Sequence, residues 1–494
     1  MALPLTADVC ERALNARDAR FDGIFFVGIT TTGIYCRPIC PARVSYHDRR
    51  RFFDSAAAAE RAGFRPCLRC RPELAPGRAL CDAVPRLARV AAQRIAAGAL
   101  NGREVRELGR ELGVSDRHLR RVLERELGVS PVELAQTHRL LLAKRLLADT
   151  SLPVTRIAYA SGFQSLRRFN SVFRERYRLS PTALRRGPRA PGSPAASAGD
   201  LVRLTLAYRA PFAWPTLLAL LGCEMLPGVE LVDGARYGRT VRLEGKSGVV
   251  FATDSAAAKT HLDIDVSPTL LPALLPLLAR LRRLFDLDAE PTVVDAHLAR
   301  EGLGVYVARR PGLRIPGAFD GFEAAFGALL GGRAGLAASD TARRVVEALA
   351  EPVDTGIPAL RRIAPDAPRV AEAGTARLAA LGVPSRAAET LVSLARALAG
   401  GMLWLEPGSD IGAAHRALLA IDGVGERLAN RIVMHALHWP DAFDPSDRAI
   451  QTALDADSPA ELQARAERWR PWRAYAALHL RLGSVASARV TDSP

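Results

Sequence analysis

The sequence predicts a multidomain α+β protein with four folded parts: a small cysteine-paired domain, an all-α double helix-turn-helix domain, an α+β domain and an all-α C-terminal core. Three observations predict it. Four of the seven cysteines fall in two close pairs, Cys36 with Cys40 and Cys67 with Cys70. Residues 81–186 read as helical throughout and hold two similar helical units, each broken by a glycine-containing turn. The run GPRAPGSPAASAG, Gly187 to Gly199, is a flexible linker by composition. Beyond it, segments such as Leu201–Tyr208 and Thr240–Leu243 alternate as strands do, and from about Pro291 the pattern is again helical. The expected boundaries are 1–76, 81–186, the linker 187–199, 200–288 and 289–494.

Length and composition set the frame. The chain has 494 residues, 49% of them hydrophobic, enough for several buried cores. Its formal net charge is +16, carried mostly by arginine. Such a surplus favours a polyanionic partner, because each neutralised phosphate releases counterions. Residues 1–21 are interrupted by Asp8, Glu11, Arg12 and Asp18, so no apolar signal core is expected. The most apolar stretch, Leu270–Phe285, is cut by Pro272, Pro276 and three arginines and is not expected to span a membrane. These features predict a cytoplasmic protein, whose cysteines stay reduced and whose close cysteine pairs point to metal rather than disulfides.

The first domain carries the most specific chemistry. Two thiolate pairs on separate loops can close a tetrahedron around zinc, either as a structural site or as a reactive one. The segments TTGIYCRPICPAR and AGFRPCLRCRP closely resemble the zinc domain of the Ada family of methyl-repair regulators, over roughly residues 5–76. The resemblance implies one zinc held by Cys36, Cys40, Cys67 and Cys70. It also implies that Cys36 accepts a methyl group from a DNA methylphosphotriester. Thiolate is the nucleophile, and transfer consumes the protein because nothing nearby removes the methyl. Four thiolates around a dication carry about −2, and methylation leaves about −1, so DNA binding is expected to tighten. Arg37, Arg43, Arg65, Arg69 and Arg71 crowd the motif and are candidates for holding phosphate.

The helical region follows. Its first unit is Val105–Leu112, a turn at 113–115 and Asp116–Leu127; its second is Val154–Ala160, a turn at 161–163 and Ser165–Tyr177, with Val132–Asp149 between them. Each second helix is rich in arginine and is expected to enter the major groove. IAYASGFQSLRRFNSVFRERYRLSP resembles the signature of AraC-type regulators, a family that usually has glycine where Arg178 stands. Arg117, Arg120, Arg121, Gln164, Arg167 and Arg168 are the candidate DNA contacts. Phe169 and Phe173, four apart, are expected in the core.

The C-terminal half contains Ile421-Asp422-Gly423-Val424-Gly425, the helix-hairpin-helix form. Its glycines permit a tight turn and close approach of backbone N–H groups to phosphate at a helix start. Asp447 lies 22 residues after Gly425, in FDPSDRAI. It reads either as a catalytic carboxylate or as the N-cap of the helix Arg448–Leu454. The stretch DGVGERLANRIVMHALHWPDAFDPSDRAIQTAL, with YRAPFAWPTLLALLG upstream, resembles the AlkA-type 3-methyladenine glycosylases over about residues 200–485. That resemblance implies N-glycosidic hydrolysis assisted by Asp447, with Gly423, Gly425, Arg427 and Arg333 on DNA. Arg427 occupies the position where bifunctional relatives carry a Schiff-base lysine, so a monofunctional enzyme is implied. The family commonly has an aromatic residue at Arg427 and often a tyrosine at Arg431; its bacterial prototype has a tryptophan at Arg481 and a wedging Gln-Leu pair at Gly332 and Arg333.

Two functions follow as expectations. One is a DNA-alkylation repair enzyme and adaptive-response regulator, binding damaged and promoter double-stranded DNA and working with RNA polymerase. The alternative is a methylation-activated regulator whose glycosylase fold is inactive.

Overall fold

The computed structural model describes residues 6–42, 47–76, 86–186, 201–255, 260–330, 336–406 and 409–491. The linker Gly187–Gly199, Arg43, Cys81, Gly332 and Arg333 lie outside these described residues. The chain forms two compact units. One comprises Met1–Arg209, Leu243–Gly248 and Ser255–Ala279; the other comprises Ala210–Arg242, Val249–Asp254 and Arg280–Pro494. Among the described residues no helix is long and apolar enough to cross a membrane.

In the first unit, helix α1 (Ala7–Asn15) precedes a small sheet. Strands β1 (Phe26–Ile29), β2 (Ile34–Cys36), β3 (Arg50–Phe53) and β4 (Arg65–Pro66) take the order β3-β1-β2-β4. Helix α2 (Ala56–Arg61) starts at Ser55, whose Oγ accepts from Ala58 N at 3.1 Å. Register fixes the cysteines: Val27 faces Cys36, and Tyr35 faces Pro66, directly before Cys67. Gly28 is required by close approach, since a Cβ there would lie 2.8 Å from the rings of Phe53 and Phe64. Phe26, Tyr35, Ala59 and Phe64 form the core beneath.

Helices α3 (Arg86–Ala96), α4 (Val105–Glu111), α5 (Asp116–Leu127), α6 (Pro131–Asp149), α7 (Val154–Ala160) and α8 (Leu166–Tyr177) follow. The α4–α5 and α7–α8 pairs match the two expected units closely. Their turns use Gly113 at φ 68° and Gly162 at φ 85°, a region where a side chain is strained. Ser115 and Ser165 then cap α5 and α8. Phe169 and Phe173 are fully buried, as expected of core residues. Arg178 ends α8 in the left-handed region at φ 59°, the conformation that glycine adopts without steric cost.

Helix α6 does more than join the two pairs. Lys144 lies buried in it, ion-paired with Glu73 and donating to the Cys67 carbonyl at 3.2 Å. Thr137 donates to Glu60 at 3.0 Å, and Tyr35 donates to the same carboxylate at 3.1 Å. Arg176 of α8 stands 3.8 Å from Glu60. Burial pushes the Glu60 carboxyl up to about 7, partly opposed by Arg176 and its hydrogen bonds. The cysteine domain and the helical domain thus share buried polar contacts, which cost several kcal/mol when one partner is removed. This unit also holds the antiparallel pair Val202–Ala207 and His261–Val266.

The second unit combines the antiparallel pair Glu230–Asp233 and Arg236–Leu243, all but the last residue of the latter, with many helices, among them Trp214–Cys223. Cys223 is exposed. One core gathers around Leu298, Ile450 and Leu480, a second around Val345 and Leu391, and a third around Leu418 and Ile432. His479 is fully buried in the last helix, Arg473–Thr491, and burial and Arg310 push its pKa down to about 4. Between the ordinary value of 6.5 and about 4, the unfolded chain takes up a proton that the folded chain refuses. Stability is therefore expected to fall as pH drops through that window, by roughly 2 kcal/mol between pH 7 and 5. Urea unfolding at both pH values should show this loss, and His479→Gln should reduce it; an equal loss in the variant would contradict the assignment.

Candidate functional site

The four paired cysteines converge. The Sγ atoms of Cys36, Cys40, Cys67 and Cys70 all lie within 4.8 Å of one another. Cys36 is the most exposed of the set, and the other three are buried. Two backbone N–H groups point at the sulfurs: Arg37 N lies 3.4 Å from Cys70 Sγ, and Arg69 N lies 3.3 Å from Cys67 Sγ. Four sulfurs at this spacing, with N–H donors that favour the thiolate form, fit a tetrahedral zinc ion and no disulfide arrangement is needed. The cluster is a zinc site.

The surrounding arginines divide into two groups. Arg37 is nearly buried, donating to Asp22 at 2.7 Å and to the Cys70 carbonyl at 3.2 Å. Arg71 sits in the left-handed region at φ 54° and is paired with Asp149 at 2.7 Å and Glu73 at 3.1 Å. Arg37 thus braces the cysteine domain internally, and Arg71 ties it to α6. Arg69 is exposed and Arg65 half-buried.

On the helical domain, Arg117 and Arg121 of α5 are exposed and Arg120 is half-buried. Gln164, Arg167 and Arg168, at the start of α8, are all exposed. The same helices turn Leu119, Leu123, Phe169 and Phe173 inward, so helical periodicity alone separates the core face from the basic face.

The hairpin lies between helices Ile411–Leu419 and Glu426–Leu437. Gly423 has φ 86°, and a Cβ there would meet Thr390 Oγ1 at 2.0 Å. Around Gly425, the N-cap of the second helix, a Cβ would meet open space, and no side chain caps that helix. Its first-turn N–H groups are therefore available to an anion. Asn430 donates to the Phe443 carbonyl at 3.1 Å, tying this helix to the loop before Asp447.

Asp447 is 6% exposed and serves as the N-cap of helix Arg448–Ala453. Its Oδ1 accepts from Ala449 N at 3.0 Å and Ile450 N at 3.3 Å. Its Oδ2 receives Arg481 Nε at 2.7 Å and Nη2 at 2.6 Å. Arg427 extends from the hairpin helix with its side chain 76% exposed, and Arg431 is paired with Glu224. The cap was legible in the sequence; the Arg481 pair, 34 residues away, was not. Lys144, Glu60 and Glu73 were also missed. The one available signal was a lone lysine within the apolar run RLLLAKRLLAD.

The fold and these sites define a zinc-cysteine and helix-turn-helix module joined to a helix-hairpin-helix module. Family models match three stretches: the metal binding domain of Ada over residues 9–73, a helix-turn-helix domain over 108–187 and the AlkA N-terminal domain over 203–320. The chain is 38% identical, over 95% of both chains, to the probable bifunctional transcriptional activator/DNA repair enzyme AlkA of Mycobacterium tuberculosis. It is 35% identical to DNA-3-methyladenine glycosylase 2 of Escherichia coli, over 56% of this chain and 95% of that protein. It is 34% identical to the bifunctional transcriptional activator/DNA repair enzyme Ada of Escherichia coli, over 29% of this chain and 38% of that one. The chain belongs to the family of bifunctional transcriptional activator/DNA repair proteins in which an Ada-type module is fused to an AlkA-type one.

Proposed function

We propose that this chain repairs alkylated DNA by two chemistries and turns one of them into a transcriptional signal. The working segments are those expected from the sequence: a methyl-acceptor domain over 1–76, promoter binding over 81–186, a linker over 187–199, and the glycosylase over 200–288 and 289–494. Its setting is the cytoplasm, where the promoter-bound form engages RNA polymerase. The match over 95% of both chains to a relative named a probable bifunctional transcriptional activator/DNA repair enzyme supports this coupling most strongly.

In the first chemistry, Cys36 Sγ attacks the methyl carbon of a DNA methylphosphotriester. The S–C bond forms as the C–O bond breaks, and the electron pair stays on the phosphate oxygen, restoring an anionic diester. Zinc, when bound, keeps the sulfurs deprotonated at neutral pH. The partial exposure of Cys36 beside three buried cysteines supports its role as acceptor. Transfer is stoichiometric, one methyl per chain. Arg65 and Arg69 neutralise the neighbouring backbone, and the exposed face of α5 and α8 reads the groove.

In the second chemistry, the glycosidic bond to an alkylated purine breaks, the bonding pair leaving with the base. Asp447 stabilises the cationic sugar and water adds to the anomeric carbon; its proton goes to solvent when a cationic base departs neutral, and to the base when a neutral one departs as an anion. With Arg427 where a lysine amine would be needed, the enzyme is monofunctional and leaves the strand uncut. One observation favours the alternative of an inactive glycosylase: four donors already satisfy Asp447.

Peptide mass spectrometry after exposure to phosphotriester DNA tests the first chemistry. One methyl is expected on the peptide holding Cys36; methyl on Cys40 or Cys81 would show that the acceptor is misassigned.

A further inference from the structure

We infer that Arg481 is a specificity-determining residue that directs the glycosylase toward uncharged damaged bases. The inference rests on the glycosylase reading above and deepens it by naming the substrate class. It is carried by one juxtaposition: the Arg481 guanidinium lies 2.6–2.7 Å from Oδ2 of Asp447, the carboxylate that would face the breaking bond. Its side chain is 41% exposed while that of Asp447 is 8% exposed. The guanidinium is therefore the solvent-accessible partner of the pair, open to an arriving nucleotide, and the carboxylate the buried one.

The charge at the centre decides which base is helped. A lone carboxylate attracts a purine made cationic by alkylation at a ring nitrogen. Paired with a guanidinium, the same carboxylate presents a site near neutrality, and a cationic base meets Arg481 as a like charge. A neutral base behaves in the opposite way. Bond cleavage leaves the electron pair on its nitrogen, so negative charge grows on the leaving group until the proton from water arrives. A fixed guanidinium beside the reaction stabilises that growing charge in the transition state. A cationic base departs neutral and gains nothing from it. Arg481 thus lowers the barrier for neutral lesions and raises it for charged ones.

Two duplexes test this with the full chain: one carrying hypoxanthine, a neutral base, and one carrying 7-methylguanine, a cationic one. Single-turnover rates are measured for wild type, Arg481→Gln and Arg481→Lys. The wild type is expected to release hypoxanthine faster. Arg481→Gln is expected to shift the neutral-to-cationic ratio at least tenfold, slowing hypoxanthine while speeding 7-methylguanine; a misfolded variant would slow both. Arg481→Lys keeps the charge and should keep the wild-type preference. An unchanged ratio in Arg481→Gln, or faster release of 7-methylguanine by wild type, overturns the inference and leaves the glycosylase reading intact. No release of either base by wild type overturns that reading and this inference with it.

Discussion

Asp447→Asn is expected to slow single-turnover base release by about 10²–10³-fold, the usual loss when one pre-organised electrostatic group is removed. The fold tolerates this substitution. Asparagine is as good an N-cap as aspartate, so its side-chain oxygen can keep the bonds from Ala449 N and Ile450 N. Helix Arg448–Ala453 should therefore stay in place, and the loop before it is held independently by Asn430 and Gln451. What is lost is the negative charge, which acts on the cationic sugar only as the bond breaks. DNA affinity should change by no more than a few-fold, because ground-state binding depends on the hairpin N–H groups and the arginines. Equal release by the variant and the wild type would reduce Asp447 to a helix cap.

Cys67→Ala is expected to abolish zinc binding, from one ion per chain to none, as read by metal analysis. Binding to structural zinc sites is worth about 10–16 kcal/mol in small zinc-binding peptides, so loss of one ligand should unfold the domain locally. The damage should spread to α6. Cys67 provides the carbonyl that Lys144 contacts, and Lys144 is buried with Glu73 as its counter-charge. Displacing that segment leaves a buried cation with an incomplete set of partners, a cost of several kcal/mol. Promoter-type binding should weaken along with methyl acceptance, while the base-excising module keeps its activity. A variant that retained one zinc would show that Cys67 is not a ligand.

Much of the architecture was legible because it rests on local rules. Gly113 and Gly162 mark turns that need positive φ, and Ser115 and Ser165 mark the helix starts after them. The cysteine spacing foretold the cluster, since each pair is brought close by its own short loop. Asp447 was legible as both cap and carboxylate, and the structure shows the cap directly. The unread features are pairings between distant residues. Arg37 and Arg71 resemble their neighbours Arg65 and Arg69 in sequence, yet they are committed to Asp22 and Asp149. Nothing local distinguishes a solvated arginine from one whose carboxylate arrives from another element. The same holds for Arg481: its meaning depends on Asp447, and only the fold brings the two together.

Under the proposed function two repair chemistries share one chain, one consuming Cys36 and one turning over at Asp447. The most direct measurement incubates the purified chain with DNA bearing labelled methyl groups on both phosphates and bases, then counts protein-bound label and released base in the same reaction. Protein-bound methyl should saturate at one per chain, while base release continues beyond one per chain. Cys36→Ser should remove only the first signal and Asp447→Asn only the second. Loss of both signals in either variant, or base release that stops at one per chain, would contradict the account.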